Sequence, residues 1–162
     1  MRLRPSYILL LGALLAAPAA AATAADGPVY GARLEGFSYP FPVRHYRFTS
    51  QGQALDMAYM DVRPARPNGR TVVLFHGKNF CAATWEDTMN VLRDAGYRVI
   101  AVDQIGFCKS TKPAHYQYSF EQLAANTHAL LLAAGVTRAT IMGHSMGGML
   151  ATRYALTYPE AT

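Results

Sequence analysis

A serine framed by glycines stands near the end of the 162-residue chain, in Gly143-His144-Ser145-Met146-Gly147-Gly148. A short apolar run precedes it and a helical pattern follows it. A hydroxyl held in so tight a strand-to-helix turn stands clear of the sheet as a nucleophile, and Gly143 and Gly147 supply the missing bulk where strand and helix pass close together. The first N–H groups of the following helix then point at the reaction centre, which makes Met146 N–H an oxyanion donor by position. This is the equipment of nucleophilic acyl transfer.

Two further segments carry chemistry. His76-Gly77-Lys78-Asn79-Phe80 follows the apolar run Thr71 to Phe75, and a turn there brings Lys78 N–H opposite Met146 to complete an oxyanion hole. The donors are backbone groups, so the Lys78 ammonium has no necessary part. Asp103-Gln104-Ile105-Gly106-Phe107-Cys108-Lys109-Ser110 follows a second apolar run.

These segments need elements to position them. Val43 to Ser50 and Ala54 to Val62 alternate as strands around a Gln51-Gly52 turn, which predicts an antiparallel hairpin. Thr71 to Phe75, Arg98 to Val102 and Ala139 to Met142 are short apolar runs, as expected of strands buried on both faces of a parallel sheet. Helical spacing predicts helices over Ala83 to Ala95, Ser119 to Ala134 and Met146 to about Tyr158, with Ser119 as a cap and Gly96 and Gly135 as stops. The predicted class is α/β, a mostly parallel sheet with an N-terminal antiparallel hairpin.

His76-Gly77, the Asp103-x-x-Gly106-x-x-x-Ser110 loop and Gly143-His144-Ser145-Met146-Gly147-Gly148 occur in the order and spacing of the α/β-hydrolase superfamily. Over about Val43 to Pro159 the chain resembles its lid-bearing esterase and aminopeptidase-like members. The resemblance implies a serine hydrolase of esters or amides, with an acyl-enzyme on Ser145 and no cofactor. It gives Asp103 a structural role at the mouth of the site, outside the catalytic triad. It disfavours epoxide opening and dehalogenation, whose enzymes carry aspartate where this chain has Ser145.

Cys108 departs from the family pattern, which commonly has glycine there. The only other cysteine, Cys81, follows the oxyanion turn. Both loops leave strands expected to be neighbours, so the expectation is a Cys81–Cys108 disulfide, with two reduced thiols as the alternative. A metal site from these two alone is not expected.

In this family the triad runs serine, acid, histidine along the chain. After Ser145 there is no His or Asp, and Glu160 lies too near the nucleophile helix. His45, His76, His115, His128 and His144 all precede the serine or flank it, and none matches the family's base. The expectation is therefore an N-terminal part of a hydrolase fold, truncated after the nucleophile helix and weak or inactive alone. A non-catalytic binding module that keeps the fold is the alternative.

Residues 1–25 run from basic through apolar to small, the layout of a secretory signal peptide cleaved near Ala24 or Ala25. That predicts export to the periplasm or medium, with no stable membrane anchor left after cleavage. Residues 26–42 read as an extended lead-in and 43–162 as the partial hydrolase domain. The formal charge is +5, from 15 basic and 10 acidic residues; loss of Arg2 and Arg4 with the leader brings it to +3. A balance so mild, without a basic patch interleaved by aromatics, argues against nucleic acid as a partner. The expected partner is a small ester or amide, and the composition leaves the oligomeric state open.

Overall fold

The computed structural model describes residues 27–162, so the predicted leader lies outside it. Val43–Ser50 (β1) and Gln53–Val62 (β2) form the antiparallel hairpin. Gln51 and Gly52 both have positive φ, 50° and 72°, the geometry of a two-residue turn whose twist matches that of the strands. β2 starts one residue before the expected Ala54 because Gln53 still pairs with Ser50.

Thr71–Phe75 (β3) and Arg98–Val102 (β4) occupy the predicted positions. The last strand, Thr140–Gly143 (β5), is shifted by one residue from the expected Ala139 to Met142. Ala139 N–H bonds Ala161 O at 3.0 Å instead of joining the ladder, and Gly143 pairs with Phe75. The sheet order is β1-β2-β4-β3-β5, with β3 parallel to both β4 and β5.

Helices Glu86–Asp94 (α1) and Phe120–Ala133 (α2) make the crossovers, and Met146–Thr157 (α3) follows the last strand. The helix expected from Ala83 opens instead with a 3-10 turn, Ala82–Trp85. Thr84 gives both its N–H and its hydroxyl to Cys81 O, at 3.1 and 2.8 Å, an i to i+3 pattern that winds this turn tightly. Ser119 caps α2 as predicted, its Oγ accepting Gln122 N–H at 3.1 Å.

Alternation along β3 and β4 feeds two cores. Val73, Phe75, Ile100 and Val102 join Leu123, Leu130, Leu131, Leu150 and Tyr154 of α2 and α3. Val72, Leu74, Val99 and Ala101 face Met89 of α1 and Ala82. Full burial of each such aliphatic side chain is worth about 1.5–3 kcal/mol, so both faces of the central strands are committed. At the far end of the sheet Arg98 grips Asp61 through two nitrogens, at 2.8 and 2.9 Å, and also donates to Ala134 O.

The winding decides where a site forms. β3 leads to α1 on one face, whereas β5 leads to α3 on the other, so the two chains part as they leave adjacent strands. A crevice opens at such a topological switch point, outside the carboxyl ends of the strands.

Candidate active site

The turns leaving β3 and β5 meet in that crevice. His144 N–H bonds Phe75 O at 3.1 Å, tying the serine turn to the end of β3. Ser145 has φ 55° and ψ −119°, a left-handed conformation that costs a non-glycine residue roughly 1–3 kcal/mol. Its side chain is exposed and makes no hydrogen bond among the described residues. The flanking glycines are there for sterics. A β-carbon on Gly143 would lie 2.6 Å from Gly148 N and closer still to Gly147 O, and one on Gly147 would lie 2.8 Å from His76 O and closer still to Phe75 O.

Gly77 to Phe80 form a turn closed by Phe80 N–H to Gly77 O at 3.1 Å. Asn79, with φ 66°, takes the third position, where a type II turn demands positive φ and asparagine tolerates it. Among the described residues neither Lys78 N–H nor Met146 N–H donates a backbone hydrogen bond outside the regular elements, and Met146 opens α3, where no intrahelical acceptor exists. The Lys78 side chain is exposed.

His76 is buried beneath this turn. Its Nδ1 lies 2.8 Å from Gly77 O, and its Nε2 accepts Gln104 N–H at 3.0 Å. The ring is therefore neutral and protonated on Nδ1, and burial holds its pKa below the usual 6.5. When pH falls below about 6.5 the unfolded chain takes up a proton that the folded one refuses, so stability drops until the folded pKa is passed. Urea midpoints measured from pH 7.5 to 5 are expected to fall more steeply for the parent chain than for His76→Gln.

Asp103 is wholly buried and is not presented to the crevice as an acid. One oxygen accepts Ala82 N–H at 2.7 Å; the other accepts Lys109 N–H at 3.1 Å and the Tyr39 hydroxyl at 2.5 Å. Burial and this neighbouring carboxylate push the Tyr39 hydroxyl well above its ordinary pKa. The two amides held by Asp103 are those that directly follow Cys81 and Cys108, and the cysteines are joined in a disulfide with Cα atoms 5.7 Å apart. Cys108 has φ 47°, a conformation that favours glycine, and Gly106 nearby has φ 95°. With both sulfurs in one bond, neither offers a thiolate to a metal. Closing a loop of 27 residues makes the bond worth about 3–4 kcal/mol by chain entropy. Cys108→Ser is expected to lose most of that in chemical denaturation, and reductant is expected to destabilise the parent chain but not the variant.

The lead-in is docked onto the same loop. Arg33 bonds Asp56 at 3.0 Å and Lys109 O at 2.9 Å, while Lys109 Nζ returns to Leu34 O at 2.8 Å and sits 5.0 Å over the Tyr39 ring. Tyr39 is a site-supporting residue that spacing gave no sign of, being 64 positions from Asp103.

An apolar cavity of about 540 Å³ adjoins Met146, lined by Gly106, Phe107, Tyr118, Ser119, Phe120 and Leu123 besides. A smaller one, about 210 Å³, lies between His76, Gly77, Phe80, Thr84, Trp85 and His144. Phe107, Phe80 and Trp85 line these cavities. Tyr116 does not: its hydroxyl bonds Ser50 Oγ and Asn126 Nδ2, both at 2.9 Å, which turns it toward β1. His115 is exposed, and its carbonyl accepts from Gln53. His128 stacks on Tyr158 and bonds Tyr154, and His45 pairs with Asp56.

The strand order, the strained serine turn and the deep glycine contacts define a protein of the α/β-hydrolase family. Residues 70–161 match the family model for the alpha/beta hydrolase fold, and the chain belongs to that family. It is similar to a probable hydrolytic enzyme of Pseudomonas aeruginosa PAO1, at 72% identity and TM-score 0.82 over 83% of this chain and 43% of that one. A carboxylesterase of the thaumarchaeon Nitrososphaera gargenis shares 26% identity and a TM-score of 0.63, over 71% of this chain and 42% of its own. The bifunctional epoxide hydrolase 2 of Sus scrofa is 33% identical over 115 residues, 66% of this chain and 21% of that protein. The chain thus spans less than half the length of each of these relatives.

Proposed function

We propose that Ser145 is the nucleophile of a hydrolase acting on carboxylic esters or amides through an acyl-enzyme. The observation that carries this reading is an exposed, unbonded hydroxyl held in a strained turn at the switch point of the sheet. Ser145 Oγ would attack the carbonyl carbon, and Lys78 N–H and Met146 N–H would hold the oxygen as negative charge develops on it. Loss of one such donor typically costs about 10²- to 10³-fold in rate. Serine at this position favours acyl chemistry over epoxide opening, despite the likeness to the pig enzyme.

The proton of Ser145 needs an acceptor. His76 is neutral and engaged at both nitrogens, His128 and His45 are paired elsewhere, and none of the five histidines bonds Ser145. The base and its orienting acid are therefore assigned to polypeptide supplied in addition to these 162 residues, and the chain alone is expected to be weak or inactive. The leader would send it to an oxidising compartment, where a Cys81–Cys108 bond persists; the first residue of the exported chain, read by N-terminal sequencing, tests this.

A fluorophosphonate probe tests the nucleophile. With imidazole added as an external base, intact mass should gain one adduct, peptide mapping should place it on Ser145, and Ser145→Ala should abolish it. No adduct at Ser145 in a folded chain would defeat the reading and leave a binding module.

A further inference from the structure

The cavity beside Met146 points to the part of the substrate that the two N–H groups do not hold. Its walls come from three elements that all begin at the carboxyl end of the sheet: the loop after β4 through Gly106 and Phe107, the start of α2 through Tyr118, Ser119, Phe120 and Leu123, and the first residue of α3, Met146. The cavity therefore opens on the same end of the molecule as Ser145, one residue away along the chain. Its lining is almost entirely hydrocarbon. Ser119 is the one side-chain hydroxyl beside that of Tyr118, and its oxygen is already committed to capping α2. Among the described residues no charged side chain lines it.

Such a cavity rewards methylene groups and penalises polar ones, because nothing in its wall replaces the hydrogen bonds a polar group leaves behind in water. About 540 Å³ lies within the usual range for small-molecule sites and exceeds what an acetyl group needs. The glycine at 106 keeps the space open: a β-carbon there would lie 2.9 Å from the Tyr118 ring, which forms the rim. Tyr118 is nearly half exposed, so the rim is accessible from solvent.

We propose that this cavity is the acyl-chain subsite and that the substrates are esters or amides of medium-length aliphatic or aryl-alkyl carboxylic acids, not acetyl or charged acyl compounds. The proposal rests on Ser145 as the nucleophile, but its binding half is testable without that serine.

In Ser145→Ala, titration with butyrate, hexanoate and decanoate followed by amide and methyl NMR is expected to shift Met146, Phe107 and Leu123. Affinity should rise about fourfold for each methylene buried until the cavity is filled. Tyr118→Asn, a neutral polar change at an exposed rim position, is expected to weaken decanoate binding at least tenfold while butyrate changes little. Equal affinity along the series, or shifts centred on the exposed Met142 of β5 instead of Met146, would overturn the subsite. With the serine restored, butyl and octyl fluorophosphonates should label Ser145 at rates that separate in the same direction. Chain-length-dependent binding without any labelling would leave the cavity standing and remove only the nucleophile, whereas labelling at equal rates would remove the cavity.

Discussion

Gly147→Ala is expected to be among the most damaging single substitutions in the chain, although it adds one methyl group. The new carbon would fall within 2.8 Å of His76 O and closer to Phe75 O, both backbone atoms at the end of β3 that cannot swing aside. Relief requires α3 to withdraw from the sheet, which opens the contact of Leu150 and Tyr154 with Phe75. Overpacking of this kind costs about 3 kcal/mol or more. Gly148→Ala, one residue on, is the control: its β-carbon would meet nothing nearer than Gly143 O at 3.6 Å, and alanine in a helix gains about 0.5–1 kcal/mol over glycine. Urea denaturation of the two variants should therefore move the midpoint in opposite directions. Two small shifts of the same sign would show that helix and strand are not in the close contact described.

Asp103→Ala is expected to cost about 3 kcal/mol, because it removes the acceptor of three donors at once, the buried Ala82 N and the half-buried Tyr39 Oη and Lys109 N. The damage should also be local. Ala82 and Lys109 follow the two cysteines, so their amides should lose hydrogen-exchange protection even with the disulfide intact. Tyr39→Phe removes only one of the three bonds and should cost about 1.5–3 kcal/mol alone and almost nothing further on top of Asp103→Ala. Additive losses would show that Tyr39 acts elsewhere than on this carboxylate. The test also separates a structural Asp103 from a catalytic one, since a catalytic acid would leave stability nearly unchanged.

Much of the frame was legible because its signals are local. Five-residue apolar runs gave β3 and β4 to the residue, Gln51-Gly52 gave the hairpin turn, and Ser119, Gly96 and Gly135 marked helix ends through capping and left-handed φ. The misplacements have tertiary causes. β5 slipped by one because Ala139 N–H found Ala161 O, and α1 was shortened because Cys81 O gathered Thr84 into a tighter turn. Tyr116 turns to Ser50 and Asn126, a choice made by hydroxyl partners that sequence spacing does not rank.

The site divides in the same way. By itself the sequence determined that Ser145 sits in a turn requiring glycine on both sides, and that Lys78 and Met146 follow parallel strands, since each statement depends on a few adjacent residues. Only the tertiary structure decided that β3 and β5 are neighbours whose chains leave toward opposite faces, which makes the crevice. It also decided that Tyr39, Ala82 and Lys109 converge on one buried carboxylate, and that Phe107, Tyr118 and Leu123 line one apolar pocket. Those groupings span 16 to 70 positions from their first member to their last, and what selects them is the packing of whole elements on a shared sheet, which no local window of the chain contains.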